Sequence, residues 1–308
     1  MALLGVGSAA AQFPERPIRI VVPYPPGGGT DAVARALAPK FSEALGTPVF
    51  IENKPGASST IGLDSVAKSR PDGYTLGVVN MAFVANPSLI KSVPFDAVKD
   101  LAPISMVTTL PLVMAIHPSV PARSVKELIA LAKSKPDQLF YGSAGNGTSN
   151  HLLTERFKAI TGIKMTHVPY KGGAPSVLGL INGETAMLMA STSSAIQFFQ
   201  NGKLVPIATG GSKRLETLPD VPTIAETVPG FEAIDFTGVV APAGTPPALI
   251  DKMHQAFVKA LASPEVRERL IGSGAQPAGT SPQEFAGFIK KEIATWSQVV
   301  RDVGITID

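Results

Sequence analysis

The chain has 308 residues, of which 44% are hydrophobic and 17% charged, so it is long enough for two well-buried lobes and too apolar for a disordered protein. Its formal net charge is only +3 and its Lys and Arg residues are scattered, which argues against a nucleic-acid groove or a membrane-binding patch. Because there are no cysteines, disulfides, thiolate metal sites and cysteine nucleophiles are excluded.

The N-terminal segment differs in character from the rest of the chain. Residues 1–12 carry no charge, and their apolar run ends in Ala9-Ala10-Ala11 before Gln12. Such a run is typical of the end of a secretory signal peptide with an Ala-x-Ala cleavage site. We therefore interpret residues 1–12 as a signal-peptide remnant and expect an exported protein; an ordinary apolar extension is the alternative.

The first elements after this segment alternate between strand and helix. The β-branched run Ile18–Tyr24 predicts a strand, and the glycines that follow it lead to Thr30, from which apolar residues recur at helical spacing as far as Gly46. Further strands are predicted at Val49–Glu52 and Tyr74–Val79, with a helix over 58–69 between them. Strands alternating with helices indicate an α/β fold with a mostly parallel sheet.

Two long extended stretches divide the remainder. Ile104–Ile116 is β-rich without helical periodicity, and Phe231–Ala241 is a second such stretch, followed by three helical patterns. We interpret both as strands that cross between lobes, which predicts lobe one at residues 13–106 plus 231–308 and lobe two at 107–230, with a hinged cleft between them. Within lobe two, strands are predicted near 139–142, 164–168, 186–189 and 205–209 and helices near 123–134, 149–161, 173–183 and 193–201.

A glycine loop recurs in the two predicted lobes. Gly27–Asp31 and Gly145–Ser149 each follow a strand and open a helix. Glycines leave backbone N–H groups accessible, and a helix N-terminus adds unpaired donors and a partial positive charge, so each loop is a candidate anion site. Neither loop ends in the Lys-Ser/Thr pair of a nucleoside triphosphate site. The alternative is a pair of tight turns in which Thr30 and Thr148 only cap their helices.

Six motifs, taken together, resemble one protein family along nearly the whole chain. They are YPPGGGTD at 24–31, ENKPGA at 52–57, DGYTL at 72–76, YGSAGNGT at 141–148, VPYKG at 168–172 and APAGTP at 241–246. The sequence is similar to the Bug family, the solute receptors of tripartite tricarboxylate transporters. The resemblance implies a periplasmic binding protein of type II fold, with two mostly parallel sheets flanked by helices, that captures a small organic carboxylate and delivers it to a membrane permease. We expect a monomer without metal or cofactor.

The resemblance also implies the ligand-binding residues. The family's two glycine loops hold a ligand carboxylate, and the far end of the ligand meets more variable positions. On this sequence the first loop corresponds to Tyr24, Gly28, Gly29, Thr30 and Asp31, and the second to Ser143, Ala144, Gly145, Asn146, Thr148 and Ser149. The distal positions are Met81, Ala82, Ala190, Ser191, Thr192, Asp235 and Phe236, the last of which stands near where family members often have Trp.

Several roles remain open from the residues themselves. Asp31 either stabilises the first turn of its helix or accepts a hydrogen bond from a ligand amine or a held water. His151 either packs or contacts the ligand. A hydrolase would recruit Ser143 or Ser149 with His151, but Ser149 and His151 are two positions apart on a predicted helix and point in different directions. We therefore expect a binding protein rather than an enzyme, with an amino acid or a neutral amide as the alternative ligand.

Overall fold

The structure is a computed structural model that describes residues 13–303. The predicted signal-peptide remnant, residues 1–12, lies outside the described residues. Among the helices of residues 13–303, none combines the length and apolar composition that crossing a membrane requires.

The N-terminal part begins with a buried central strand flanked by two parallel neighbours. The β-branched strand β1 lies between β2 and β3, and its Ile20 pairs with Ile51 on one side and Leu76 on the other. The helix after β1 ends at Gly46, whose φ of 69° is the left-handed conformation that glycine adopts readily. The elements are β1 (Ile18–Val22), α1 (Gly29–Leu45), β2 (Val49–Asn53), α2 (Thr60–Ala67), β3 (Thr75–Val79) and α3 (Met81–Leu89).

The following strand is long enough to belong to two groups of strands. β4 (Leu101–Ile116) pairs antiparallel with β9 (Ile234–Pro242) along its first two thirds, from Leu101 to Pro111. From Leu112 to Ile116 it pairs instead with β7 (Met187–Ser191) and β8 (Val205–Thr209), again antiparallel. β4 therefore joins the N-terminal strands to the second α/β series.

That second series repeats the strand-then-helix order. β5 is parallel to β6 on one side and to β7 on the other. Its elements, besides β7 and β8, are α4 (Val125–Ser134), β5 (Phe140–Ser143), α5 (Ser149–Thr161), β6 (Thr166–Pro169), α6 (Gly173–Ile181) and α7 (Thr192–Gln200).

The C-terminal elements return to the N-terminal part. β9 lies between β3 and β4, and the helices that follow it pack on α1, α3 and β4. The fully buried Trp296 lies on the last helix, in the same apolar cluster as Phe83 of α3. These elements are α8 (Pro247–Ala262), α9 (Pro264–Gly272), β10 (Gln276–Pro277) and α10 (Pro282–Val303).

The predicted α/β class is confirmed. The two groups of strands are joined by β4, which pairs in both groups and is antiparallel to its neighbours there, so together they form one continuous mixed sheet. The helix α3 was not predicted, since it is buried nearly all round and its sequence shows no polar face. The division into lobes at 106/107 and 230/231 stays a prediction.

Candidate functional site

A cavity of about 830 Å³ opens where strands end and helices begin. β1 and β3 are parallel, as are β5, β6 and β7, so within each group the carboxyl ends lie at one edge. In α/β proteins, this edge is where ligands bind. The first turns of α1, α3, α5, α6 and α7, which follow these five strands, all contribute residues to the cavity wall.

Asp31 fixes the first glycine loop from behind. Its carboxylate is 1% exposed and accepts hydrogen bonds from Gly27 N and Arg35 Nε, each at 2.9 Å, and from Asn53 Nδ2 at 2.8 Å. Burial alone would raise the pKa of Asp31, but these hydrogen bonds outweigh it and hold the pKa below its ordinary value. Asp31 is absent from the described cavity wall, whereas Gly28, Gly29 and Thr30 form part of it. Its carboxylate thus holds the loop rather than facing the cavity.

Tyr24, Asn80 and Thr30 form a polar group on the same side. The Tyr24 hydroxyl donates to Asn80 Oδ1, which also accepts from Ala82 N at 3.0 Å and so caps α3. Asn80 Nδ2 lies 3.5 Å from Thr30 Oγ1. Burial raises the pKa of Tyr24, and the negative charge of Asp235 raises it further, so the phenol stays protonated and can donate.

The second glycine loop is closed by its own threonine. Thr148 Oγ1 donates to the Gly145 carbonyl at 2.7 Å, and no side chain caps the N-terminus of α5. Thr148, Ser149 and Asn150 line the cavity, and Asn150 Nδ2 donates to the Met189 carbonyl on β7. The first amides of α5 consequently face the cavity region without an intrahelical acceptor.

Asp235 on β9 is the charged side chain of the described cavity wall. Its Oδ2 accepts from Ser149 Oγ at 2.5 Å, and its Oδ1 accepts from Met81 N at 3.2 Å and Phe236 N at 2.8 Å. Burial raises the pKa of Asp235 despite these three hydrogen bonds. One carboxylate thereby links the first turns of α3 and α5.

Helix N-termini supply the positive potential of the cavity. The N-termini of α1, α5, α6 and α7 have no side-chain cap, and each contributes residues to the wall. Each helix start carries about half a unit of positive charge together with its unpaired N–H groups. Among the described residues that line the cavity, none is Lys, Arg or His. An anion bound here would therefore be stabilised by backbone dipoles and hydroxyls.

A strained segment forms another part of the wall. Ala57, Ser58 and Ser59 have φ values of 44°, 52° and 79°, a left-handed run without glycine that costs about 1–2 kcal/mol per residue. The buried Asn86 of α3 holds it, since its Nδ2 donates to the Ser58 carbonyl at 2.6 Å. Ser59 is 2% exposed and lines the cavity, and its hydroxyl has no hydrogen-bond partner among the described residues. Because the Ser59 oxygen is itself buried, it is closed to a ligand in this conformation.

Most of the predicted site residues lie on this one wall, and the rest lie behind it. Their role in ligand binding stays a prediction. On the wall are Tyr24, Gly28, Gly29, Thr30, Ala82, Ala144, Asn146, Thr148, Ser149, Ala190, Ser191, Asp235 and Phe236. Behind the wall are Asp31, Met81, Ser143, Gly145 and Thr192.

Several wall residues were missed by sequence reasoning. Asn80 was not predicted as a site residue because α3, the helix that it caps, was not predicted either. The start of α6 at Gly173 has the same pattern as the two glycine loops, a glycine pair between a strand and a helix, so this pattern could have predicted Gly173 as a wall residue. Ser58, Ser59, Ser193, Ser194 and Ser273 give no sequence pattern that separates them from ordinary loop serines.

The arrangement closest to a nucleophile and base is Ser143 with His167. Ser143 Oγ lies 2.6 Å from His167 Nε2, but Ser143 is fully buried behind the wall. Ser149, which does line the cavity, bonds Asp235, and His151 accepts from Gly147 N. The hydrolase pairing of Ser143 or Ser149 with His151 is therefore absent from these hydrogen bonds. Within residues 13–303, no three His, Asp or Glu side chains gather in a way that could hold a metal ion.

Comparison with known proteins gives one family and close structural matches. The family model described as tripartite tricarboxylate transporter family receptor matches residues 33–305. Protein BugT of Bordetella pertussis is 38% identical over 299 residues, which cover 96% of this chain and 92% of that protein.

Two solved structures of similar proteins match over nearly their full length. The periplasmic binding protein BugD has a TM-score of 0.81 at 32% identity, covering 96% of this chain and 100% of that chain. An R. palustris protein solved with adipate has a TM-score of 0.84 at 34% identity, with the same coverage. The predicted type II fold of periplasmic binding proteins is thereby confirmed.

Proposed function

The chain belongs to the tripartite tricarboxylate transporter receptor family, and from that premise and its cavity we propose that it captures a small organic carboxylate in the cleft for delivery to a membrane permease. In this proposal it acts in the periplasm as a binding protein rather than an enzyme. The ligand carboxylate lies between the first turns of α1 and α5, next to Gly29 and Ser149, and lobe closure brings the two sides together.

The observation that carries the proposal is the convergence of uncapped helix N-termini on one cavity. α1, α5, α6 and α7 start there without a side-chain cap, so their first amides have neither an intrahelical acceptor nor a capping oxygen. Unpaired N–H groups and aligned dipoles favour a bound anion. Because the helix ends come from more than one side of the cavity, a ligand with carboxylates at two ends would use them best. Adipate, the ligand of the R. palustris protein, has that form.

An amino acid is the second candidate, because of Asp235. This carboxylate is on the wall and would repel an anion, but it would pair with a ligand ammonium group. Oδ2 accepts only the Ser149 hydroxyl among the described hydrogen bonds and has capacity for a further donor.

A thermal-shift screen of protein refolded to remove carried-over ligand tests the proposal. The panel contains adipate, malate, succinate, citrate, benzoate, aspartate, glutamate, a neutral amide and a sugar. A ligand at about 100 times its Kd stabilises by about 2.7 kcal/mol, which shifts Tm by several degrees in a protein of this size. Hits are then titrated by calorimetry, and small-angle scattering with and without ligand measures closure.

The outcomes separate the candidates. A shift with one class of carboxylates supports the proposal and names the ligand class. A shift with aspartate or glutamate alone selects the amino-acid alternative. A sugar or amide as the sole hit would remove the carboxylate proposal, and unchanged scattering at saturating ligand would remove closure.

A further inference from the structure

Two stacked histidines lie beneath the second glycine loop, outside the cavity. Strand residues alternate between faces, so Tyr141 and Ser143 of β5 share one face, and His167 of the parallel β6 pairs beside Tyr141. On α5, the spacing of four residues puts His151 and Glu155 on one helix face, and that face covers the strands. The rings of His151 and His167 stack with centroids 4.1 Å apart, and those of Tyr141 and His167 are 4.8 Å apart.

Both histidines form hydrogen bonds with the loop. His151, which is 6% exposed, accepts a hydrogen bond at Nδ1 from Gly147 N at 3.2 Å. His167 Nε2 lies 2.6 Å from Ser143 Oγ, and Ser143 Oγ in turn accepts from Gly145 N at 3.1 Å. The amides of Gly145 and Gly147 are therefore directed away from the cavity.

The glycines make this arrangement possible. Gly145 has φ of 130° and Gly147 of 73°, conformations that residues with a Cβ rarely adopt. The amides of Gly145 and Gly147 bond to groups beneath the loop, and the residues that follow, Thr148 and Ser149, lie on the wall at the start of α5. The observed conformation of the loop includes its hydrogen bonds to the two imidazoles, directly at Gly147 and through Ser143 at Gly145.

Resting on the proposed function, we infer that His151 and His167 are positioning residues for ligand binding, which fix the 143–148 loop in the conformation that presents the α5 N-terminus to the carboxylate. They act through Gly147 and Ser143 and do not touch the ligand. The remaining titratable groups around the pair are Tyr141, which donates to Glu155, and Lys158, which bonds Glu155 at 2.6 Å.

The test compares two substitutions of the same histidine. His151→Leu introduces an apolar side chain of similar size and removes the acceptor, whereas His151→Asn supplies an oxygen that can accept from Gly147 N. His167→Leu removes the bond to Ser143, and His117→Asn is the control, because His117 bonds Ser119 elsewhere. Hydrogen–deuterium exchange of peptides covering 143–148 is measured without ligand, together with the adipate Kd by calorimetry.

We expect His151→Leu and His167→Leu to speed hydrogen–deuterium exchange within 143–148 by about tenfold, with little change in exchange in the rest of the chain. Both variants should bind adipate about tenfold more weakly. His151→Asn is expected to return both values most of the way to wild type, and His117→Asn to change neither. Three results would overturn the inference. They are wild-type exchange rates in both Leu variants, the same exchange rates and adipate Kd in His151→Leu and His151→Asn, and faster exchange spread evenly over the chain.

Two further results keep the inference separate from the proposed function. If the loop exchange behaves as expected but wild-type protein binds no carboxylate, the loop is positioned as described, yet the inference about binding fails with the proposed function. Should the Leu variants not fold, the Gly147 amide resonance of the wild type is followed against pH. It should move with the His151 imidazole titration, because protonated Nδ1 cannot accept a hydrogen bond; an amide resonance independent of that titration would overturn the inference.

Discussion

Ser149 Oγ donates a hydrogen bond to Asp235 Oδ2 at 2.5 Å, which joins the first turn of α5 to the strand β9. Asp235 also accepts from the amide of Met81 at the start of α3. In the predicted lobe division, Met81 belongs to lobe one and Ser149 to lobe two. A single carboxylate thus spans the predicted cleft and places a negative charge on a wall that is otherwise suited to anions.

Replacing Asp235 with Asn is expected to tighten adipate binding about tenfold, or about 1.4 kcal/mol, by removing a like charge next to the ligand. Asn keeps an oxygen for Met81 N and Phe236 N and can donate to Ser149, so the wall is preserved. Since burial raises the pKa of Asp235, the wild-type affinity for adipate should increase relative to that of the variant as this group protonates at lower pH. Calorimetry over a pH series measures both effects.

The control for this substitution is Asp220→Asn, because Asp220 is exposed and lies outside the wall. An unchanged adipate affinity in Asp235→Asn would contradict electrostatic repulsion at this position. A weaker affinity for aspartate or glutamate in the same variant would instead identify Asp235 as the partner of a ligand ammonium group.

Replacing Thr148 with Val is expected to weaken carboxylate binding by about 1–3 kcal/mol. The sequence suggests a direct contact to the ligand, whereas in the structure the hydroxyl donates to the Gly145 carbonyl at 2.7 Å. Its loss leaves that carbonyl short of a donor and loosens the loop before α5. Thr161→Val is the matched control, since its hydroxyl makes an equivalent bond to Phe157 O at the other end of α5. Equal titration curves for the two variants would rule out a role of Thr148 in the site.

The order of elements was predictable because local patterns determine it. The helix at Ser149–Thr161 and the strand at Val205–Thr209 have the bounds that periodicity predicts. The glycine loops were predictable for the same reason, since each lies between a strand and a helix in the sequence. The continuity of the sheet was not, because it depends on how β4 changes partners at Leu112, a contact between residues far apart in the chain.

The direction in which each polar side chain points was less predictable. Asp31 is next to the first glycine loop, and Asp235 is on the crossing strand β9. Arg35 and Asn53 hold Asp31 away from the cavity, whereas Asp235 lies on the cavity wall. Similarly, His151 directly follows the wall residue Asn150 but stacks on His167 instead. These orientations depend on tertiary partners that no local pattern reveals.

Replacing Asp31 with Ala is expected to lower the free energy of unfolding by about 2–4 kcal/mol. The substitution leaves Gly27 N without its acceptor, and Asn53 Nδ2 keeps only its bond to the Tyr24 carbonyl. It also removes the buried partner of Arg35, whose own side chain is 45% exposed and can be hydrated. Urea denaturation measures the change. Glu43→Gln, which breaks the exposed pair with Lys40, is the control and should cost much less than Asp31→Ala, because solvent screens that pair. Equal losses in the two variants would show that Asp31 does not hold the loop.

The histidine pair also predicts how stability depends on pH. Burial, together with the neighbouring His151, lowers the pKa of His167 to about 4, and burial likewise lowers the pKa of His151. In the unfolded chain a histidine has a pKa of about 6.5. Between these values the unfolded state binds more protons than the folded state, so the free energy of unfolding must fall as the pH is lowered from about 6.5 to about 4.

Replacing His167 with Gln should reduce this loss, because the substituted side chain does not take up a proton in either state. The wild type is therefore expected to lose more stability than the variant between pH 6.5 and pH 4, even if the variant is less stable at pH 7.5. Thr166→Val, on the same strand, changes no titratable group and should keep the wild-type dependence. Urea denaturation at matched ionic strength across this range gives the slopes, and parallel slopes for wild type and His167→Gln would mean that His167 is not held neutral by the fold.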